Sequence, residues 1–281
     1  MTEKTASQSN FLSTIKVGSL TFISRVAGLI RDIFTTNLLG ASIFHDIFVV
    51  VLKIPNVFRK LFAEGAFSQA FIPIYSEYLG KQDERGGQDF LNALFGLLLS
   101  ALFIFTLLAL LFAPIFILIF APGFYFDIQK QDLAVNLLRI MFPYLALISL
   151  VAFAAGIQNS HNKFSIPAVT PLIFNLSLIG SAWLVAPKIE IPVMALAWGV
   201  LLAGFLQLLF QIAPLTIIQK IPVPKIDLRN PGVKKFFILI LPAIVAGGIA
   251  QINLLIDTIF ASWLIIGSPT WLYVSDRLIQ F

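Results

Sequence analysis

The chain has no cysteine. Disulfide cross-links, thiol nucleophiles and cysteine-ligated metal centres are thereby excluded, although the compartment is left open. Charge is scarce as well: charged residues make up 12% of the sequence and hydrophobic ones 58%. A soluble domain of 281 residues could not bury that much apolar surface. The two histidines, His45 and His161, fall near predicted loops and lack a metal-ligand pattern. No nucleophile–base arrangement is visible, so no catalytic or metal-binding residue is expected. Gly80-Lys81 lacks the upstream glycine and the following Ser or Thr of a phosphate-binding loop, which argues against an ATP site. Met1–Asn10 is polar and leads into no short apolar core with a cleavage site, so a signal peptide is not expected.

What is present is a series of long apolar runs. Phe90–Phe126, Ile140–Ser160, Phe164–Pro187, Ile191–Gln219 and Phe236–Ile256 are each near or above the roughly 20 residues that a bilayer-spanning helix needs. Barrel strands need only about 10 residues and alternate in polarity, so the runs indicate an all-α polytopic membrane protein. Seven spans and the start of an eighth are predicted, at 11–39, 44–80 (broken), 90–120, 132–158, 165–187, 191–219, 236–266 and from 270 onward. With the N-terminus in the cytoplasm, the inner segments hold ten basic residues and the outer loops only Lys130 and Lys188. This positive-inside bias accounts for the net charge of +5 better than nucleic-acid binding does.

Residues 220–235 form a basic, proline-containing cytoplasmic loop between 1–219 and 236–281. Its lysines and arginines would favour an anionic inner leaflet. Pro55, Pro73, Pro143, Pro171, Pro214 and Pro242 fall inside predicted spans and are expected to kink them. A faint internal echo links Ile33–Thr36 and Gly40 to Ile259–Ser262 and Gly267, and predicts that a second repeat begins near residue 236. The eighth span reaches only about twelve residues before Phe281, too few to cross a bilayer, so a truncated chain is expected.

The charges that interrupt the first spans carry the functional signal. Arg25, Arg31 and Asp32 lie in the first; Asp46, Lys53, Arg59, Lys60 and Glu64 lie in the second. An ionised group in hydrocarbon costs several kcal/mol or more, so such groups line polar cavities. Arg25 and Asp32 are seven apart and share a helix face, whereas Arg31 points elsewhere unless Gly28 bends the segment. Lys53 and Lys60 share a face, and Asp276 and Arg277 arrive from the second repeat. Guanidinium groups make forked hydrogen bonds to phosphate and stay charged when desolvated. Arg25, Arg31, Arg59, Arg277, Lys53 and Lys60 are therefore candidate binders of an anionic substrate. Asp32, Asp46, Glu64 and Asp276 are candidate charge partners or coupling groups. The competing interpretation is a set of structural ion pairs that fix helix packing.

Ser24-Arg25-Val26-Ala27-Gly28-Leu29-Ile30-Arg31-Asp32 resembles the first-helix motif of the MurJ (MviN) lipid II flippases. The run Lys53-Ile54-Pro55-Asn56-Val57-Phe58-Arg59-Lys60-Leu61-Phe62-Ala63-Glu64-Gly65, continuing to Pro73, is more specific to that family. Similar stretches are Ala121–Phe124, Asn162–Ala168, Ala195–Trp198, Thr258–Ser262 and Ser275–Leu278. The resemblance implies the fold of the multidrug/oligosaccharidyl-lipid/polysaccharide exporter superfamily. In it, residues 1–219 would be a first six-helix lobe, and 236–281 the start of a second lobe with helix 7 and a partial helix 8. It implies transport of the undecaprenyl-pyrophosphate-linked peptidoglycan precursor across a bacterial inner membrane. Alternating access would be driven by membrane potential or an ion gradient, with no cofactor. Lipid II, membrane lipids and the cell-wall synthesis machinery are the implied partners. Arg25, Arg31, Arg59 and Arg277 correspond by motif to the family's essential cavity arginines, while Lys60 stands where the family often has arginine. Alternatives are an exporter of another lipid-linked glycan or of drugs, or a truncated chain that does not transport.

Overall fold

The structure, a computed structural model, describes residues 2–60 and 65–280. Among these residues all regular structure is helical. The first segment is α1 (Thr2–Leu39), which ends at Gly40 with φ +62°. A broken second segment comprises α2 (Ile43–Phe58) and α3 (Gly65–Gly80). The third is α4 (Glu84–Leu111), bent at Phe112–Pro114 into α5 (Ala113–Phe120), with the short α6 (Pro122–Tyr125) beyond it. The fourth is α7 (Ile128–Met141) and α8 (Tyr144–Ser160), interrupted at Pro143 as expected from its missing N–H. Then follow α9 (Ser165–Gly180), which tails through a loosened turn to Lys188, and α10 (Pro192–Ile217). The last two are α11 (Pro231–Trp263) and α12 (Ser268–Gln280). The predicted spans thus return as helical segments with nearly the same limits.

Among the described residues, five helical segments are long and apolar enough to cross a membrane: Glu84–Leu111, Ile128–Ser160, Ser165–Lys188, Pro192–Ile217 and Pro231–Ile249. The first two predicted spans are not among them. Arg25, Arg31 and Asp32 interrupt α1, and α2 and α3 are only 16 residues each. Their charges and their break mark the same place, because they face a cavity.

Two apolar cores hold the helices. One gathers α2, α4, α5, α7, α8 and α10 around Phe58, Phe105, Phe116, Phe120 and Phe142, whose rings meet edge to face or tilted except for the stacked pair Phe116 and Phe120. The other packs α3, α4, α8 and α11 around Phe67, Phe71, Phe90, Phe153 and Phe236. α1 leans chiefly on α9, α11 on α3, and α12 on α2.

Three segment ends close in the same way. Gln82, Asn162 and Gln219 each take a left-handed φ after α3, α8 and α10. The following N–H groups of Asp83, Lys163 and Lys220 bond back to the carbonyls of Tyr78, Gln158 and Leu215. These are Schellman closures built without glycine. The three ends lie together with the basic residues of one face of the bundle: His161 Nε2 lies 3.1 Å from the Tyr75 hydroxyl. At the opposite face Gly40 and Gly267 turn the chain, both at positive φ, and Gly267 sits against Ala41. The glycines of the internal echo therefore do the same job in two turns that touch.

The basic stretch departs from the expected ordinary loop. Residues 221–227 run extended along α4. Lys225 N–H donates to the Asn92 carbonyl (3.1 Å), Val223 N–H to Asn92 Oδ1 (2.8 Å), and Gln88 Nε2 to the Ile221 carbonyl (3.2 Å). Gly96 makes the approach feasible, since a side chain there would collide with the Lys225 backbone.

Candidate functional site

A cavity of about 870 Å³ opens between α1, α2, α8, α9, α10, α11 and α12. Eight of the ten charged candidates line it: Arg25, Arg31, Asp32, Lys53, Arg59, Lys60, Asp276 and Arg277. Among the described residues of the lining, six cations face two carboxylates, an excess of positive charge.

Three of these charges form a cluster. Asp32 Oδ1 accepts from Arg31 Nε (2.9 Å) and from its Nη2 (2.6 Å), and Asp32 Oδ2 accepts from Arg277 Nε (3.0 Å). Arg31 is 6% exposed and Asp32 8%. Burial of such a pair demands that its remaining hydrogen-bonding capacity be met. Tyr273 and Asn175 meet it. The Tyr273 hydroxyl donates to Asp32 Oδ1 (2.8 Å) and receives Arg31 Nη2 (3.0 Å). Asn175 Oδ1 accepts from Arg31 Nη1 (3.0 Å), while its Nδ2 donates to the Ser24 carbonyl (2.9 Å). Arg31 also lies 5.6 Å from the centre of the Phe174 ring, within cation–π range. The face argument that separated Arg31 from Asp32 is therefore corrected. The two are adjacent in sequence, yet the Arg31 guanidinium reaches the Asp32 carboxylate and both residues line the cavity. At Gly28 the α1 backbone comes so close that an added methyl would touch Arg277 and Asn175.

The other cations are arranged differently. Arg59 Nε donates to Asn56 Oδ1 (3.2 Å). Among the described residues, Arg25, Lys53 and Lys60 form no ion pair. Several cations beside a guanidinium pair held by one carboxylate suit an anion that carries several negative oxygens.

Two candidates lie elsewhere. Glu64 is outside the described residues. Asp46 is 3% exposed and does not line the cavity. Its carboxylate accepts from the N–H of Gly267 (2.6 Å), the N–H of Thr270 (3.0 Å) and the Thr270 hydroxyl (2.6 Å). Rather than an arginine, the partner of Asp46 is the N-terminus of α12, where a carboxylate is favoured by unpaired amides.

Sequence reasoning missed Tyr273, Asn175 and a set of neutral amides on the α8–α9–α10 side. Gln211 Nε2 donates to Thr170 Oγ1 (2.6 Å), Gln207 Nε2 to the Thr170 carbonyl (3.0 Å), and Gln158 Nε2 to Gln211 Oε1. The available signal was polarity inside apolar runs, which is weaker for an amide than for a charge.

Long apolar helices around a cationic cavity define a multi-pass membrane protein. The family model described as lipid II flippase MurJ matches residues 35–281, and the chain belongs to that family. A probable lipid II flippase MurJ of Vibrio cholerae is 40% identical over 288 residues, covering 100% of this chain and 55% of that protein. The lipid II flippase MurJ of Burkholderia cenocepacia is 38% identical over 275 residues, covering 96% and 53%. A solved structure described as lipid II flippase MurJ in an inward closed conformation superposes with a TM-score of 0.78 at 29% identity, covering 95% of this chain and 54% of that one. The chain spans about half the length of the curated relatives it matches.

Proposed function

We propose that this chain supplies the headgroup-capturing part of a lipid II flippase in a bacterial inner membrane. The observation that carries the reading is the cavity itself, in which six cations surround Asp32 and Asp276 and two of them are held rigidly by Asp32. The pyrophosphate of a lipid-linked precursor offers paired anionic oxygens that match the forks of Arg31 and Arg277. It displaces them from Asp32, and Arg25, Lys53, Arg59 and Lys60 add attraction around it. Segments α1–α10 act as one lobe and α11–α12 begin the second, with the basic face and the N-terminus in the cytoplasm. The chain moves its substrate without chemically changing it. Membrane potential or an ion gradient drives the cycle, and no ATP site is needed.

The test is outer-leaflet lipid II in cells depleted of their own flippase. The gene carrying this sequence restores export, and Arg31→Ala or Arg59→Ala removes it while the protein stays in the membrane. Export by both variants at the parent level would refute the arginine role.

A further inference from the structure

The extended stretch between α10 and α11 lies outside the cationic cavity, on the surface of the bundle. Ile221, Val223, Ile226 and Leu228 are all exposed there, Ile226 at 71%. Single exposed apolar residues are ordinary, but four within eight consecutive residues make a patch. Lys225 and Arg229 are exposed among them. The one acidic residue of the stretch, Asp227, is 4.0 Å from Lys225 Nζ. Lys220 and Lys234 add positive charge at either end.

Its seat on α4 sets its depth. Gln88, Asn92 and Gly96, which hold this strap, fall on one face of the helix. The same face continues as Leu99, Phe103 and Leu107, all exposed. On a helix long and apolar enough to cross a membrane, such a row meets lipid. The charge-free run of α4 begins at Phe90, and Gly96 is six residues, about 9 Å, further along the axis. The Lys225 backbone therefore packs on α4 within its apolar run, beside the lipid-facing row.

The backbone suits lipid better than a protein strand. Val223 and Lys225 turn their N–H groups to Asn92. In an extended chain the alternate N–H groups face the other edge. Those positions are Pro222 and Pro224, which have no N–H. Over this length the outer edge offers no donor, neither to be stranded beside lipid nor to pair with an added strand.

We propose that residues 221–229 are an interfacial anchor for anionic phospholipid. Val223, Ile226 and Leu228 enter the leaflet on the basic side of the bundle, and Lys225 and Arg229 reach lipid phosphates at its surface. Long cationic side chains lay their stems along apolar surroundings and keep their charge among the headgroups. Each such cation adds attraction toward an anionic surface.

The absence of cysteine lets one fluorophore report from one place. Ile226→Cys is labelled with bimane, with Arg85→Cys in the first turn of α4 as the reference. The chain is placed in nanodiscs of phosphatidylcholine and phosphatidylglycerol in equal parts. The quenchers are iodide in the water and bromine high on the acyl chains of one lipid or the other. At Ile226 the brominated lipids are expected to quench and iodide to have little effect; at Arg85 the order reverses. Brominated phosphatidylglycerol should quench Ile226 several-fold more than brominated phosphatidylcholine does. Lys225→Gln combined with Arg229→Gln brings the two lipids to parity, while an unchanged Arg85 signal reports an intact fold. Quenching of Ile226 by iodide alone would place the strap in water, open to a soluble partner, and would overturn the anchor. Equal quenching by the two brominated lipids with both cations present would overturn the preference for anionic lipid, as would a preference that survives their loss.

Discussion

The Asp46 carboxylate grips Thr270 twice, through its backbone N–H at 3.0 Å and its hydroxyl at 2.6 Å. Asp46 sits in the first turn of α2 and Thr270 in the first turn of α12, 224 residues apart. The contact also takes in the Gly267 N–H, so one side chain fixes the whole turn between α11 and α12. Asp46→Ala leaves two buried amides and a hydroxyl without an acceptor. Hydrogen bonds to a charged group contribute about 1.5–3 kcal/mol each, and the neighbours relax only in part, so a loss of about 3 kcal/mol is expected. Asp46→Asn keeps one carbonyl acceptor and should lose less. Thermal unfolding of the two variants in one detergent gives the comparison. Equal stability of Asp46→Ala and the parent would show that the turn is held by other contacts.

Asp32 pairs with both Arg31 and Arg277, and so it competes with any anion that approaches them. Asp32→Asn removes the competing charge and keeps the shape. The expected result is tighter binding of a polyprenyl pyrophosphate, by roughly tenfold, with a lower thermal midpoint because two guanidiniums lose their counter-charge. Weaker binding in Asp32→Asn would mean that Asp32 positions the guanidiniums more than it competes for them.

The long helices and the charged wall of the cavity were legible in the sequence for a shared physical reason. A bilayer demands about 20 apolar residues per crossing, and it penalises every charge that interrupts them. Both signals are local, and both survive in composition. The pairing of the charges was not legible. Seven-residue spacing joined Arg25 to Asp32, yet Asp32 bonds to its neighbour Arg31 and to Arg277, because side-chain length and the approach of α12 decide contacts that helical phase alone does not. Asp46 was expected to face arginine; the amides it meets belong to a turn whose position only the fold determines. Neutral residues such as Tyr273, Asn175 and Gln207 carry no charge to betray them in an apolar run. The extended stretch on α4 was hidden as well, since its anchor is one asparagine, Asn92, in the middle of a helix.

That anchor gives a prediction that activity assays would not reveal. Gly96 leaves room for the Lys225 backbone, and no other residue type could sit there without moving it. Gly96→Ala should lift residues 221–227 from α4, and Asn92→Ala should loosen them through loss of the Val223 N–H bond to its side chain. Trypsin then cuts after Lys220 and Lys225 faster, by roughly tenfold if about 1.4 kcal/mol of docking energy is lost. The readout is the rate of fragment appearance under native conditions. Unchanged cleavage in both variants would show that the stretch is held by the chain on either side of it.

A titratable contact lies at the same end of the bundle. His161 follows the last turn of α8, and its Nε2 is 3.1 Å from the Tyr75 hydroxyl. Its pKa lies below the ordinary 6.5, first because burial disfavours the imidazolium and second because Lys220 is close. The neutral ring is therefore the form that native packing favours. Stability from this contact is fully present above pH 6.5 and is lost as the pH falls from there through the lower folded value. The thermal midpoint of the parent should drop on going from pH 8 to pH 5.5 by more than that of His161→Gln, which cannot take up the proton. Carboxylates elsewhere titrate in both proteins, so the difference between the two curves isolates the histidine. Parallel curves would mean that His161 protonates without cost, and that neither burial nor Lys220 acts on it in the folded chain.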